Sequence, residues 1–379
     1  MKKSLLALAV VAVAASANAA TVYDKDGTSL VIDGRIQSVF YNGNHAKAGE
    51  HDSSIQNSAR FGLGGKTQIT DWVAGIGYAQ WDMDDKGNGN GTKARDQYVG
   101  ADFGEFGLLK SGRYVDSSYY AEAVTDHYED AAGTVQGKFN GERRGGQITY
   151  IYDNYGFHGE LGGQTAQDNA AMVSAPNLGL DKGADAWAID SGFNGALGYT
   201  FDDVVFGPLS LRAGYSYVKG QSDRDVTGTN GDAFNNFKHA AFGVSWGNLD
   251  SGFYTAALYE YAKLSLGEES VAPTYDNAKN KGFELLFGYA FDNGVSARIG
   301  YEASYVKASK LNGDETKYQV RRVPVFVNYQ INPNFNVWGE VGFNAGSDHK
   351  HDFEEKGIAN NYAKKLDRTV VGIGARYTF

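Results

Sequence analysis

The chain ends in "TVVGIGARYTF", residues 369–379. Its odd positions are Val371, Ile373, Ala375, Tyr377 and Phe379; its even positions are Val370, Gly372, Gly374, Arg376 and Thr378. Side chains at i and i+2 of an extended strand share a face, so one face here is apolar with an aromatic end and the other is small or polar. The same dyad recurs in Phe283, Leu285, Phe287, Tyr289 and Phe291, opposite Glu284, Gly288 and Ala290. An Asp292-Asn293-Gly294 turn then leads into Val295, Ala297, Ile299, Tyr301, Ala303 and Tyr305, a pattern that reads as a hairpin.

About sixteen such segments are expected, near 28–42, 58–69, 72–83, 94–103, 106–115, 142–153, 156–166, 184–201, 208–219, 236–247, 252–264, 281–291, 294–306, 317–331, 335–344 and 367–379. Strands of roughly 10–15 residues cross a bilayer at the usual tilt. Short connections, such as Thr70-Asp71 and Asn154-Tyr155, alternate with long polar ones, such as 43–57, 167–183 and 345–366. In lipid every backbone polar group must be paired, and only closure removes unpaired strand edges. A soluble sandwich would carry shorter strands and a Val/Leu/Ile-rich core face. Here the apolar faces end in aromatics, as at Trp81, Tyr217, Tyr261 and Tyr305, which suits aromatic girdles at two membrane interfaces. The expectation is an all-β, 16-stranded antiparallel transmembrane β-barrel over residues 20–379. Pro324 fits poorly, since it falls inside an expected strand. So do Asp96 and Asp102, which take the outward parity if Arg95 faces inward.

Composition agrees with export and with a membrane. Residues 1–19 carry Lys2 and Lys3, an apolar run from Leu5 to Ala15 and an Ala17-Asn18-Ala19 cleavage pattern, and read as a signal peptide. Without Lys2 and Lys3 the 35 basic and 45 acidic residues become 33 against 45, a net of −12. That balance argues against a nucleic-acid partner, which needs basic patches. With no cysteine, disulfides and thiolate metal sites are excluded. No cofactor is implied.

A barrel of about sixteen strands is too wide for its own side chains to fill. The stretch "EAVTDHYEDAAGTVQGKFNGERRGG", Glu122–Gly146, breaks the alternation and carries Glu122, Asp126, Glu129 and Asp130. By composition it could be an ordinary external loop. Basic residues on the lumen parity favour a loop folded inward. In "SARFGLGGKTQI" Phe61, Leu63 and Ile69 face out, so Arg60, Lys66 and Gln68 face in. By the same parity Asp33, Arg35 and Gln37 face in, and Arg143 faces in while Arg144 faces out. Arg95 is assigned to the same wall.

The stretches "SARFGLGGKTQITDWVAGIGYAQWDMD" and "KARDQYVGADFGEFGLLKSGRY", with the terminal Tyr377-Thr378-Phe379, resemble the trimeric general diffusion porins of Gram-negative outer membranes. The resemblance is specific over about residues 28–152 and the C-terminus. It implies a third external loop folded into the lumen, with loop acids facing a basic wall ladder. It maps that ladder onto Arg35, Arg60, Arg95 and Arg143, and the acids onto Asp126 and Asp130; Glu129, in the same loop, is counted with them as a constriction acid. It makes Tyr377 and Phe379 the C-terminal assembly signal. The family's Pro-Glu-Phe-Gly-Gly loop motif is replaced by Glu129-Asp130-Ala131-Ala132-Gly133, which removes Pro and Phe and adds an acid. The implied partners are two further copies of the chain, outer-membrane lipid and lipopolysaccharide, and small hydrophilic solutes and ions. The implied function is passive diffusion through a water-filled channel; the net charge of −12 and the extra loop acid lead us to expect a mild cation preference.

Rival chemistry is weak. Of the seven histidines, His239 takes the outward parity and His158 lies inward beside Glu160, and neither has a serine at a suggestive spacing. An enzyme is not expected. "DMDDKGNGNGTK" puts Lys93 where a calcium loop needs Glu. Trp246 and Trp338 fall on the lumen parity, too few for a sugar track. A substrate-selective channel or a structural anchoring barrel remains the alternative. The outward residues of the third expected strand, Val73, Gly75, Gly77, Ala79 and Trp81, make a flat face suited to contact with another subunit.

Overall fold

The computed structural model describes residues 19–45, 48, 52–84, 91–129, 143–173, 186–221, 231–267, 274–346 and 368–379. The signal peptide expected at 1–19 lies, except for Ala19, outside the described residues. Along the chain run β1 (Ala20–Lys25), β2 (Thr28–Tyr41), β3 (Ser54–Gln68), β4 (Ala74–Asp84), β5 (Thr92–Asp102) and β6 (Leu108–Tyr114). A short helix α1 (Tyr119–Glu122) follows, then β7 (Arg144–Asn154), β8 (Phe157–Gln164), β9 (Gln167–Ala170), β10 (Trp187–Val204), β11 (Gly207–Gly220) and β12 (Asn236–Gly247). The last are β13 (Gly252–Ser265), β14 (Tyr275–Ala290), β15 (Val295–Lys310), β16 (Glu315–Asn332), β17 (Phe335–Asn344) and β18 (Val370–Thr378).

Each strand pairs antiparallel with its neighbour, and β18 pairs with β2 to close the sheet. Two of the sixteen positions around the barrel are shared. β8 and β9 are one interrupted strand, since both pair with β10. β1 continues the line of β18: Thr378 lies opposite Arg35 and Ala20 opposite Ile32. Between them Phe379 exchanges backbone hydrogen bonds of 2.8 and 2.9 Å with Gly34. β1 and β18 thus complete one strand, and no edge is left among the described strands. The sixteen expected segments are all strands; β1 was not foreseen.

Outward positions carry the exposed apolar side chains, among them Leu161 at 72%, Ile299 at 50% and Ile373 at 56%. Water would not tolerate that band on a closed sheet, and lipid would. The largest buried apolar cluster lies at the long-loop end of β9–β15, where Trp187, Ile189, Phe234, Phe237, Leu264 and Tyr275 pack together.

The misfits have local causes. Between β4 and β5 the register shifts, so that Ala79 opposes Gln97 but Trp81 opposes Ala94. This bulge inserts one residue and turns both Arg95 and Asp96 to the inner side. Asp102 is then inward too, bonded to Lys66 Nζ at 2.7 Å. Pro324 needs no bulge. The β15–β16 ladder keeps its register but skips Gly300–Tyr301 against Val323–Pro324, the cost of a missing N–H. Arg144 is not outward: Gly146 has φ +70° and the β6–β7 register shifts after Gly112, so Arg144 is buried. His239 and Trp246 also exchange faces relative to the expectation. β12 is apolar on both parities because its inner face meets α1 rather than water, which leaves His239 buried and Trp246 outward against Phe206.

Candidate pore constriction

The basic wall assembles across β2, β3, β5 and the start of β7. Arg35 and Arg60 are direct cross-strand partners. Asp82 on β4 holds two of the ladder: Arg60 Nε donates to its Oδ1 at 2.7 Å and Arg95 NH1 to its Oδ2 at 2.7 Å. Arg95 also donates to Gln80, at 3.0 Å. Arg143 donates to Asp96 at 2.8 Å. Like-charged guanidinium groups are thus kept apart by acids threaded between them, and the sequence reading missed Asp82 and Asp96 in that role. Their signal was available, since Asp82 has the lumen parity of β4, but the bulge hid Asp96.

Residues 115–129 follow β6 and contact inward positions on each of β10 to β15, β17 and β18. Ser117 Oγ donates to Asn194 at 2.7 Å, and Arg212 NH1 to the Tyr120 carbonyl at 3.3 Å. Tyr254 Oη donates to the Val124 carbonyl and Thr125 Oγ1 to Glu284, both at 2.7 Å. Arg298 donates to the His127 carbonyl, and the Glu129 amide to Glu340 at 3.0 Å. Small wall residues permit the approach. A Cβ on Gly214 would lie 2.6 Å from Ser118 Cα, and one on Gly243 2.3 Å from the Ala121 carbonyl oxygen.

Glu129 meets an arginine outside the expected ladder. Arg376 NH1 donates to Glu129 Oε1 at 2.9 Å and NH2 to the other oxygen, while Nε reaches Gln37 at 3.0 Å. The guanidinium also lies 4.8 Å from the Trp338 ring centre. The fork fixes Glu129 in two directions, as a point charge would not. Arg376 stands on the polar face of the last strand, so parity alone could have nominated it. Asp126 accepts from the Tyr119 hydroxyl and feels Arg143 and Arg95 at longer range. Burial raises its carboxyl above the ordinary range, with Tyr119 and those arginines opposing. His127 is held down to about 4, first by burial and then by Arg298 and Arg212, so it adds no charge at neutral pH. Asp130 lies outside the described residues. Among the described residues Arg60, Arg95 and Arg143 make ion pairs with the wall acids Asp82 and Asp96.

A family model described as Gram-negative porin matches residues 25–379. Outer membrane porin F of Salmonella typhi is 29% identical over 98% of this chain and 99% of its own. A solved structure of Salmonella typhi OmpF, in complex with daunomycin, covers 95% of this chain and 100% of that one, with 22% identity and a TM-score of 0.69. A porin of Comamonas acidovorans described as anion-selective covers 93% of this chain and 100% of that one, with 15% identity and a TM-score of 0.61.

Proposed function

From the premise that the chain belongs to the Gram-negative porin family, and is therefore a channel of the outer membrane and not an enzyme, we propose that it passes small hydrophilic solutes and ions with a mild cation preference, and that residues 115–129 fold inward to form the constriction. The observation that carries this reading is the Glu129–Arg376 fork, which ties the segment after β6 to the strand that closes the barrel. On this reading Asp126, Glu129 and Asp130 form one side of the narrowest passage and Arg35, Arg60, Arg95 and Arg143 the other.

Charges of opposite sign across a water-filled gap orient water and dipolar solutes. An apolar solute must displace that ordered water and gains nothing in return. At ~4 Å and an effective dielectric of ~20 one pair is worth roughly 4 kcal/mol, less when hydrated and screened. Such a rim sorts solutes without holding them, as conduction demands. The cation preference rests on the −12 net charge of the chain after loss of Lys2 and Lys3, and on the ladder arginines being partly neutralised by Asp82 and Asp96. A porin of this fold from Comamonas acidovorans is described as anion-selective, so the charges a chain carries, and not the fold, set the sign.

The mature chain, residues 20–379, is proposed to work as a homotrimer within outer-membrane lipid and lipopolysaccharide, after removal of the leader. The flat outward row Val73, Gly75, Gly77, Ala79 and Trp81 supports the contact between copies. Tyr377 and Phe379 serve in the proposal as the assembly signal. The reading is tested in planar bilayers by conductance and zero-current potential across a salt gradient, for wild type and for Asp126→Ala/Glu129→Ala/Asp130→Ala. Conductance in steps of three, with selectivity moving toward anions in the variant, is the expected result. Unchanged selectivity would remove these acids from the constriction, and a well-folded protein without conductance would leave only a structural barrel.

A further inference from the structure

On the outside of β12–β16, at their long-loop ends, the strand register brings five lysines into one line. Lys238 lies directly opposite Lys263, Lys263 opposite Lys279, Lys279 opposite Lys307, and Lys307 opposite Lys317. Their chain neighbours Phe237, Leu264, Ala278 and Ala308 point inward and are buried in the apolar cluster, which fixes the lysines on the outer face. Lys281, two residues further along β14, joins the row from beneath. We propose that this row binds a lipid of the outer leaflet whose head group carries two phosphates, the chemistry that the lipid A part of lipopolysaccharide presents.

The height of the row along the barrel places it among head groups. Two residues further in on the same face stand Tyr261 and Tyr305, and two further again stand Phe242, Tyr259 and Phe283, which are neighbours across β12–β14 and exposed. Tyrosines on an outer face mark the edge of the hydrocarbon, and exposed apolar rings past them mark the lipid tails. Side chains just beyond such a girdle, at the end with the long loops, meet the charged part of the outer leaflet.

Charge decides the partner. Like charges directly opposite on adjacent strands repel. With strands ~4.8 Å apart the row spans ~19 Å. Glu315 is the acid that enters it, bonded to Lys307 and, at 2.8 Å, to Lys317. Among the described residues Lys238, Lys263, Lys279 and Lys281 make no ion pair. Such a line favours an anion that reaches several lysines at once. A single phosphate answers one or two of them, whereas two phosphates on one head group bridge the row. The feature is also one-sided. Across the barrel, the outward positions at the same end of β2–β4 include Phe40, Ile55, Asn57 and Met83, none of them charged. That side carries the row proposed for contact between copies, so the lysines stand on the side that a trimer turns to lipid.

The inference rests on the proposed lipopolysaccharide surroundings and is independent of the constriction, so conductance tests the two apart. Protein refolded free of lipid in detergent would be titrated with diphosphoryl lipid A, monophosphoryl lipid A and phosphatidylglycerol, with bound lipid measured by native mass spectrometry. Each lysine near an anionic lipid surface contributes a factor of roughly five, so diphosphoryl lipid A should bind about tenfold or more tighter than either single-phosphate lipid. Lys263→Gln/Lys279→Gln/Lys281→Gln should weaken that binding about 100-fold while conductance stays as in wild type. Glu315→Gln, which releases two lysines of the row, should strengthen it roughly fivefold. Resistance to heat in detergent gels reports whether each variant folds, and should the triple variant fail that check, the gain in Glu315→Gln decides. Equal binding by wild type and the folded triple variant, no gain in Glu315→Gln, or phosphatidylglycerol bound as tightly as diphosphoryl lipid A would overturn the proposal. Conductance retained in any of those cases would leave the channel reading standing.

Discussion

At the residue scale the proposed rim is a set of arginines whose charges are rationed by acids. Asp126→Asn with Glu129→Gln should shift the cation-to-anion permeability ratio toward anions by roughly two- to fivefold, the equivalent of ~0.5–1 kcal/mol for hydrated charges; zero-current potentials measure it. Because burial raises the Asp126 carboxyl, it gains its proton at a higher pH than an ordinary aspartate. Cation preference should therefore begin to fall on acidification while free carboxylates of the external loops are still ionised, and Asp126→Asn should remove that early phase from the pH profile. Arg376→Ala breaks the fork to Glu129, a charge-assisted pair worth roughly 1.5–3 kcal/mol. Larger open-channel current noise is expected with the barrel intact, and a recording as quiet as wild type would deny Arg376 a role in holding the segment. Parity made Arg35, Arg60 and the inward face of Arg376 legible from sequence. It failed at Arg144, because a glycine at φ +70° reverses the alternation without any mark in hydropathy.

At the scale of elements, the segment 115–129 is held by many single bonds to different strands rather than by its own secondary structure. α1 is one turn long and has no side-chain cap. Its position depends on wall positions that lack a side chain. Gly214→Ala would put a Cβ against the Ser118 backbone, an overpacking that costs ~1–3 kcal/mol. Faster amide exchange over 117–125 is the expected readout, with melting of the barrel unchanged. His127 supplies a pH dependence. Its folded value of about 4 lies below the ordinary ~6.5, so the docked segment favours the neutral ring. That stability is complete above pH ~6.5 and is lost as pH falls toward 4. Exchange over the segment should accelerate between pH 6.5 and 4 in wild type, and His127→Gln should flatten the response. None of this was readable in the stretch Glu122–Gly146. Its composition alone suits a solvated loop equally well, and only contacts distant in sequence, such as Thr125 with Glu284, distinguish the two.

For the whole molecule, closure is the governing fact, and the trimer is the next level. A Cβ on Gly77 would meet only the Tyr98 carbonyl, at 3.9 Å, so one chain accommodates a side chain there. Gly77→Arg should therefore fold as a barrel yet fail to form the proposed trimer, which light scattering in detergent would show; a stable trimer of this variant would move the contact elsewhere. The sequence by itself determined the class of fold, the strands and most of their faces. Dyad alternation is a local property, and lipid enforces it strand by strand because every backbone group must be paired and every outward side chain apolar. Only the tertiary structure decided which inward groups meet: Asp82 between two arginines, Glu129 with Arg376, and β1 end to end with β18. The lumen imposes no comparable pattern. Water and protein both accept polar side chains there, so a charge reads the same along the chain whether it lines the passage, neutralises a neighbour or holds the segment to the wall.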